Sequence, residues 1–280
     1  MQDLAGKVAV ITGAASGFGR ELALQTAALG MKLALADRDE AGLAATVALL
    51  PAGTEAITQK VDVAKPDDIE ALAEATYARF GAAHLLFNNA GVAVAGPIWT
   101  TTLDDWKWVL DVNLMGVVHG IRSFVPRMLA QGQPAHVVNT ASAAGLLSPP
   151  GSSVYCVSKH GVVTLSECLH HELQLDKAAI GVSVLCPAFV PTGIGHSERN
   201  RPSDLADANP LGEAYAEAVR KAIAAGKLTA ADVARITLEG VRAGRFYILP
   251  HQAIKAAVEI RFRDILDDRL PTNTLRASPR

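Results

Sequence analysis

Residues 152–162 read S-S-V-Y-C-V-S-K-H-G-V, and Tyr155 and Lys159 within them are four residues apart. On a helix they share a face. A free tyrosine, with a pKa of about 10, is poorly matched to proton transfer at neutral pH. A cation held near the phenol favours the phenolate and lowers that value. The pair is therefore suited to taking a proton from an alcohol or returning one to a carbonyl. Tyr/Lys pairs at this spacing also occur on plain helix surfaces, so the chemistry needs partners elsewhere in the chain. Ser142, thirteen residues before the tyrosine, closes an apolar run where a hydroxyl can hold a substrate oxygen. Cys156 follows Tyr155 directly, which points it off the shared face.

Proton transfer at an alcohol becomes oxidation only beside a hydride acceptor. Residues 12–19, T-G-A-A-S-G-F-G, provide a place for one. Gly13, Gly17 and Gly19 are spaced G-x-x-x-G-x-G, between a first apolar run and a helical stretch. Glycines let backbone approach a pyrophosphate closely, and a helix N-terminus offers free N–H groups and a positive dipole end. Ser16 and Phe18 lie inside this turn and are candidate contacts with the glycines. Asp37 ends the second apolar run about 20 residues on, where an acid hydrogen-bonds an adenosine ribose 2′-hydroxyl. It would repel a 2′-phosphate, which favours NAD. Arg38 beside it leaves NADP open, because a guanidinium can hold that phosphate. Ala14, Ala15 and Ser16 add no second basic residue.

Apolar runs at 8–11, 32–36, 56–61, 85–87, 136–139, 181–185 and 245–249 read as buried parallel strands. Stretches of helical period fall between them, at 17–29, 40–50, 66–80, 103–129, 154–175 and 230–241. This alternation predicts an α/β, Rossmann-like doubly wound parallel sheet of about seven strands with helices on both faces. One domain is the simplest division. Residues 1–250 would be the dinucleotide-binding catalytic part, with a substrate lid at about 191–227 that carries a helical piece near 213–225. Residues 251–280 would be a C-terminal helix and flexible tail of the same domain. Ile254, Ala257, Val258, Phe262, Ile265 and Leu266 form a stripe on that helix for packing on the body or a partner subunit. Trp99, Trp106 and Trp108 are expected to pack near the 103–129 helix, with the pocket mouth as an alternative for Trp99.

The 280 residues are 50% hydrophobic and 19% charged, with a net charge of −2. That balance supports a large core and argues against nucleic acid. No uninterrupted apolar stretch approaches the ~20 residues of a membrane span. The N-terminus does not read as a signal peptide. Cys156, Cys168 and Cys186 lack paired or metal-ligand spacing and read as reduced core thiols of a cytoplasmic protein. His170 and His171, adjacent on one helix, do not suggest a metal, and none is expected.

These motifs together resemble the short-chain dehydrogenase/reductase family in its compact single-domain branch, from about residue 5 to about residue 195. The glycine turn matches that family's nucleotide turn. The resemblance implies adenine contacts at Asp62 and Val63, and N-N-A-G ending in Asn89, Ala90 and Gly91 beneath the cofactor. V-N-L carries the family's helix asparagine, Asn113, which would hold a water linking Lys159 to solvent. Ser142, Tyr155 and Lys159 match the catalytic set, with Lys159 also binding the nicotinamide ribose. Val190 and Thr192 would meet the nicotinamide carboxamide. Pro187-Ala188 stands where the family has P-G, which puts the local backbone path in doubt. The R-F-Y-I-L-P segment and following helix are similar to the branch holding lignin-derived aryl-ether Cα-dehydrogenases and bulky-carbonyl reductases. Pairing through the 103–129 and 154–175 helices into a homodimer or homotetramer is implied by the resemblance as well.

Loops after the strand ends gather Val94, Leu146, Leu147, Phe189 and Ile194, all apolar. The expected reaction is hydride transfer between NAD and a neutral, apolar or aromatic secondary alcohol or ketone. Arg199 and Arg201 in the lid could instead grip an acid. Two other readings stay open. One is an NADPH-dependent carbonyl or ketoacyl reductase; the other is a non-catalytic dinucleotide-binding regulator.

Overall fold

The computed structural model describes residues 3–205 and 212–274. Seven parallel strands form one sheet in the order β3-β2-β1-β4-β5-β6-β7. They are β1 (Val8–Thr12), β2 (Lys32–Asp37), β3 (Ala56–Lys60), β4 (Leu85–Asn88), β5 (Ala135–Thr140), β6 (Ile180–Leu185) and β7 (Tyr247–Ile248). β1, β4 and β5 are buried along their whole length, as strands covered on both faces must be. Strand order reverses between β1 and β4, and the carboxyl ends there open into a crevice.

Alternate side chains feed two cores. Val10, Ala34, Leu86 and Val137 pack under α3 (Pro66–Phe80), α4 (Leu103–Leu110), α5 (Gly116–Gln131) and α6 (Ser153–Leu175). Ala9, Ile11, Leu33 and Phe87 pack under α1 (Gly17–Ala28), α2 (Glu40–Ala48) and α8 (Ala230–Arg242). The result is a single-domain, Rossmann-like fold. Among the described residues no helix is long and apolar enough to cross a membrane.

Several details differ from the sequence expectation. The 103–129 stretch is helical throughout but not regular: a π turn, Asp111–Met115, joins α4 to α5. Asn113 causes the break to matter, because its amide is bonded to the loop after β4 rather than facing along a regular helix. β7 is only a two-residue edge strand where five were expected. The stripe on α9 (Ile254–Leu266) packs only in its first half; Phe262, Ile265 and Leu266 are exposed. Asp264 is instead the buried residue there, accepting a bond from Thr272 N at 2.9 Å. Finally, Trp108 is buried, but Trp99 is 84% exposed and forms no part of the cleft.

The lid begins as 3-10 helix (Gly193–Asn200 and Ser203–Leu205) and continues as α7 (Gly212–Ala224). Residues 206–211 of the expected lid and 275–280 of the expected tail lie outside the described residues. Cys156 and Cys186 are buried and Cys168 is exposed, so only two of the three thiols belong to the core.

Candidate active site

A cleft of about 800 Å³ runs along the carboxyl ends of the strands. One end is built on the glycine turn. Gly13 has φ +69, and a Cβ there would stand 2.9 Å from Ala90 Cα. A Cβ on Gly19 would collide with the Gly13 carbonyl, 2.6 Å from its carbon. Both positions therefore need glycine for α1 to start so close to the turn. The Ser16 side chain makes no cap bond, and the first turn of α1 holds no acid. Its backbone donors are thus free to face an anion. Gly17, Phe18, Val63, Ala90, Gly91, Val190 and Thr192 also line this half. These features fit a dinucleotide.

Asp37 accepts from Ala15 N and Asp39 N, each at 3.0 Å, which fixes its carboxylate beside the turn. Arg38 leans away from the turn. Its Nη1 donates to Asn200 O in the lid at 2.8 Å, and its Nε lies 3.7 Å from Asp62 Oδ2. Asn89 donates from N to Thr12 Oγ1 (2.9 Å) and from Nδ2 to Thr12 O (3.0 Å), so β4 is stitched to β1 beneath the cleft.

The other predicted residues converge in the middle. Tyr155, Ser142 and Lys159 line one wall. The Lys159 ammonium is 5.8 Å from the Tyr155 ring centroid and donates to Thr140 O at 2.8 Å. Lys159 is 2% exposed, and among the described residues no carboxylate pairs with it. Burial therefore pulls its pKa down to about 8. Burial pushes the Tyr155 phenol up to about 12, with the neighbouring Ser142 hydroxyl acting in the opposite sense. Desolvation dominates that shift, and no lowering by Lys159, whose ammonium is turned towards Thr140, accompanies it. Ser142 accepts from Ala144 N at 3.1 Å and donates to Pro187 O at 3.3 Å.

Asn113 accepts from Val92 N at 2.8 Å and donates to Val92 O at 2.9 Å and Ser158 Oγ at 3.1 Å. It clamps the loop after β4 to α6. A Cβ on Gly91 would lie 3.4 Å from Asn113 Oδ1 and 3.5 Å from Lys159 Nζ. The asparagine and the lysine therefore converge on one small space. Pro187-Ala188 is unstrained: Ala188 is not among the positive-φ residues, and its N–H donates to His251 Nδ1 at 3.1 Å.

The far half is apolar. Val94, Leu147, Phe189 and Ile194 line it as expected, while Leu146 turns into the core beside Val162 and Val163. The lid adds Tyr215, Val219 and Ile223, and the start of α9 adds Ile254 and Ala257. Arg199 lines the cleft, but its Nη1 donates to Gly193 O (2.8 Å) and His196 O (2.7 Å). Arg201 is outside the cleft, paired with Asp105 at 2.6 Å. Arg201 is therefore withdrawn from the cleft, whereas Arg199 stays on its wall. Sequence reasoning missed Thr140, His251 and Asp105. They act through contacts 19, 63 and 96 residues away, with no local spacing to announce them.

A parallel sheet in this order, with a glycine turn and a Tyr/Lys pair at its crevice, defines a dinucleotide-binding oxidoreductase fold. The family model for short chain dehydrogenase matches residues 7–203. A CLA biosynthesis dehydrogenase/reductase from Lactiplantibacillus plantarum is 38% identical, covering 97% of both chains. A C alpha-dehydrogenase from Sphingobium sp. is 34% identical, over 97% of this chain and 89% of that one. Among solved structures, a short-chain dehydrogenase/reductase from Burkholderia phymatum, in complex with NAD, is 51% identical with TM-score 0.95, covering 97% and 98% of the two chains. The chain belongs to the short-chain dehydrogenase/reductase family and is an oxidoreductase of that family.

Proposed function

We propose that this protein is an NAD-dependent dehydrogenase or carbonyl reductase acting on neutral, apolar or aromatic secondary alcohols and ketones. One observation carries the reading. Tyr155, Ser142 and Lys159 stand between a half of the cleft holding Asp37, Asp39 and Asp62 and a half lined by apolar side chains. The dinucleotide end fits NAD because Asp37 is fixed beside the turn and Arg38 is engaged by Asn200 and Asp62. The NAD complex of the Burkholderia phymatum relative and the names of the two dehydrogenase relatives support it.

When bound, NAD supplies the hydride acceptor and a positive charge that favours the phenolate. Tyr155 Oη takes the alcohol proton or returns it to the carbonyl. Ser142 Oγ holds the substrate oxygen. Lys159 Nζ adds positive charge beside the phenol and is placed to hold the ribose hydroxyls. Asn113 Oδ1 and Lys159 Nζ face the space at Gly91, where a water would pass the proton outwards. A homodimer or homotetramer is the proposed assembly.

The test is a parallel screen of NAD and NADP against neutral aryl and alkyl secondary alcohols and against hydroxy acids. Neutral alcohols with NAD are expected to win. Higher kcat/KM for hydroxy acids would sink the substrate reading, and a preference for NADP would mean that Arg38 releases Asn200 to take a phosphate. The cofactor half has its own check. Gly19→Ala is expected to weaken NADH binding by about tenfold or more in a fluorescence titration, since overpacking against backbone costs about 1–3 kcal/mol. Unchanged binding would show that the turn can move without loss.

A further inference from the structure

Among the described residues, Ser197, Asn200 and Arg201 tie the lid to the body by polar contacts. Ser197 Oγ accepts from Ala93 N at 3.0 Å, and Asn200 O accepts from Arg38 at 2.8 Å. Arg201, the next residue, has a side chain only 7% exposed, and its partner Asp105 is 1% exposed. Arg201 Nη2 donates to Asp105 Oδ1 at 2.6 Å, and its Nη1 donates to Leu205 O at 3.2 Å. Its guanidinium lies 4.4 Å from the Trp108 ring centroid. Glu198 closes the other side, accepting from Nε at 2.6 Å.

The body does not need this arginine to form α4. Asp105 and Thr102 already close a capping box there, with Thr102 N donating to Asp105 Oδ2 at 3.0 Å. A buried ion pair is in general a weak source of stability, because desolvation offsets its attraction, but it is selective about geometry. Only the planar fork of arginine can bond Asp105, Glu198 and Leu205 while stacking on Trp108. Both sides of the contact reach the cleft. Trp108 lines it directly. The segment Gly193–Asn200 packs on α7 so closely that a Cβ on Gly195 would stand 3.2 Å from Ile223 Cδ1. A shift at Arg201 would therefore move Ile194 and Ile223 together.

We infer that Arg201 is a positioning residue for the substrate half of the cleft: its pair with Asp105, stacked on Trp108, fixes the lid wall and so sets which alcohols fit. The inference rests on the reading of that half as an alcohol site. It concerns a residue that touches neither the dinucleotide turn nor Tyr155.

The experiment compares Arg201→Met and Arg201→Lys with the wild type on three readouts. These are kcat/KM for neutral secondary alcohols of increasing apolar bulk, NADH affinity by fluorescence, and amide hydrogen exchange across residues 193–200. Arg201→Met is expected to lower kcat/KM for the bulkiest alcohol by about ten- to a hundredfold, mostly through KM, as misplacement of a remote positioning group does. The smallest alcohol loses less, NADH affinity holds, and lid amides exchange faster. Arg201→Lys keeps the charge, recovers part of the loss, and serves as the test if the methionine variant does not fold. An equal loss for every alcohol with weaker NADH binding would overturn the inference in favour of general support. Unchanged exchange and unchanged selectivity would also overturn it. Exchange needs no substrate. If the wild type oxidises no neutral alcohol, the alcohol reading fails, while faster lid exchange in Arg201→Lys still supports the latch and unchanged exchange still refutes it.

Discussion

Replacing Tyr155 with phenylalanine is expected to lower kcat about a hundred- to ten-thousandfold, the usual contribution of a positioned acid/base group. The substitution keeps the ring that lines the cleft and removes only the hydroxyl. NADH affinity should barely change, because the glycine turn, Asp37 and the start of α1 are untouched. Steady-state rates and a binding titration on the same sample separate the two effects. Unchanged turnover would remove Tyr155 from the chemistry and revive the non-catalytic regulator. The pH dependence adds a further check. Burial holds the free phenol at about 12, so alcohol oxidation should speed up as pH rises above neutrality, and the phenylalanine variant should lack that rise.

Lys159→Met is expected to cost most of the activity while making the folded protein more stable at pH 7. The ammonium is buried beside a carbonyl oxygen, with no carboxylate paired to it among the described residues. Such a cation is poorly compensated. Its folded pKa of about 8 lies below the ordinary 10.5. The unfolded chain therefore binds the extra proton more tightly, and the penalty is fully present below pH 8. It is relieved as pH rises from 8 to 10.5, so the stability deficit of the wild type relative to the methionine variant should shrink through that window, while the buried thiols of Cys156 and Cys186 lower the stability of both proteins as pH passes their ordinary range. The shift corresponds to roughly 3 kcal/mol at most. Denaturant unfolding at pH 7 and pH 10 measures this directly. A methionine variant that is less stable at pH 7 would show that the ammonium is better compensated than its surroundings suggest. The pairing of lost activity with gained stability is what a site held in a strained electrostatic state should show.

Much of this was legible in the chain. Parallel strands buried on both faces leave continuous apolar runs, so six of the seven strands could be read nearly to their ends, β7 being shorter than its run. The glycine turn and Tyr155–Lys159 were legible because each works through local spacing on one turn or one helix. What escaped depends on distant contacts. Asn113 is legible through the family resemblance, but the π turn around it is not, because it depends on Val92, 21 residues away, taking up the amide. Arg201 reads as a lid charge that could grip an acid until Asp105 and Trp108 enclose it. Trp99 reads as core or pocket on composition, yet it is exposed because the loop before α4 turns it outward. The sign of the Tyr155 shift escaped for a related reason: spacing places the lysine, but only packing shows how deeply the phenol is desolvated.

The central claim is that one cleft joins NAD, Tyr155 and a neutral apolar alcohol. The most direct measurement is a stoichiometric reaction of the wild-type protein with NAD and a neutral apolar secondary alcohol, following reduced nicotinamide and ketone together. The expected result is one ketone formed per NAD reduced, with no reaction in Tyr155→Phe. Tight NAD binding with no reduction by any neutral alcohol, or equal yields in the two proteins, would contradict it.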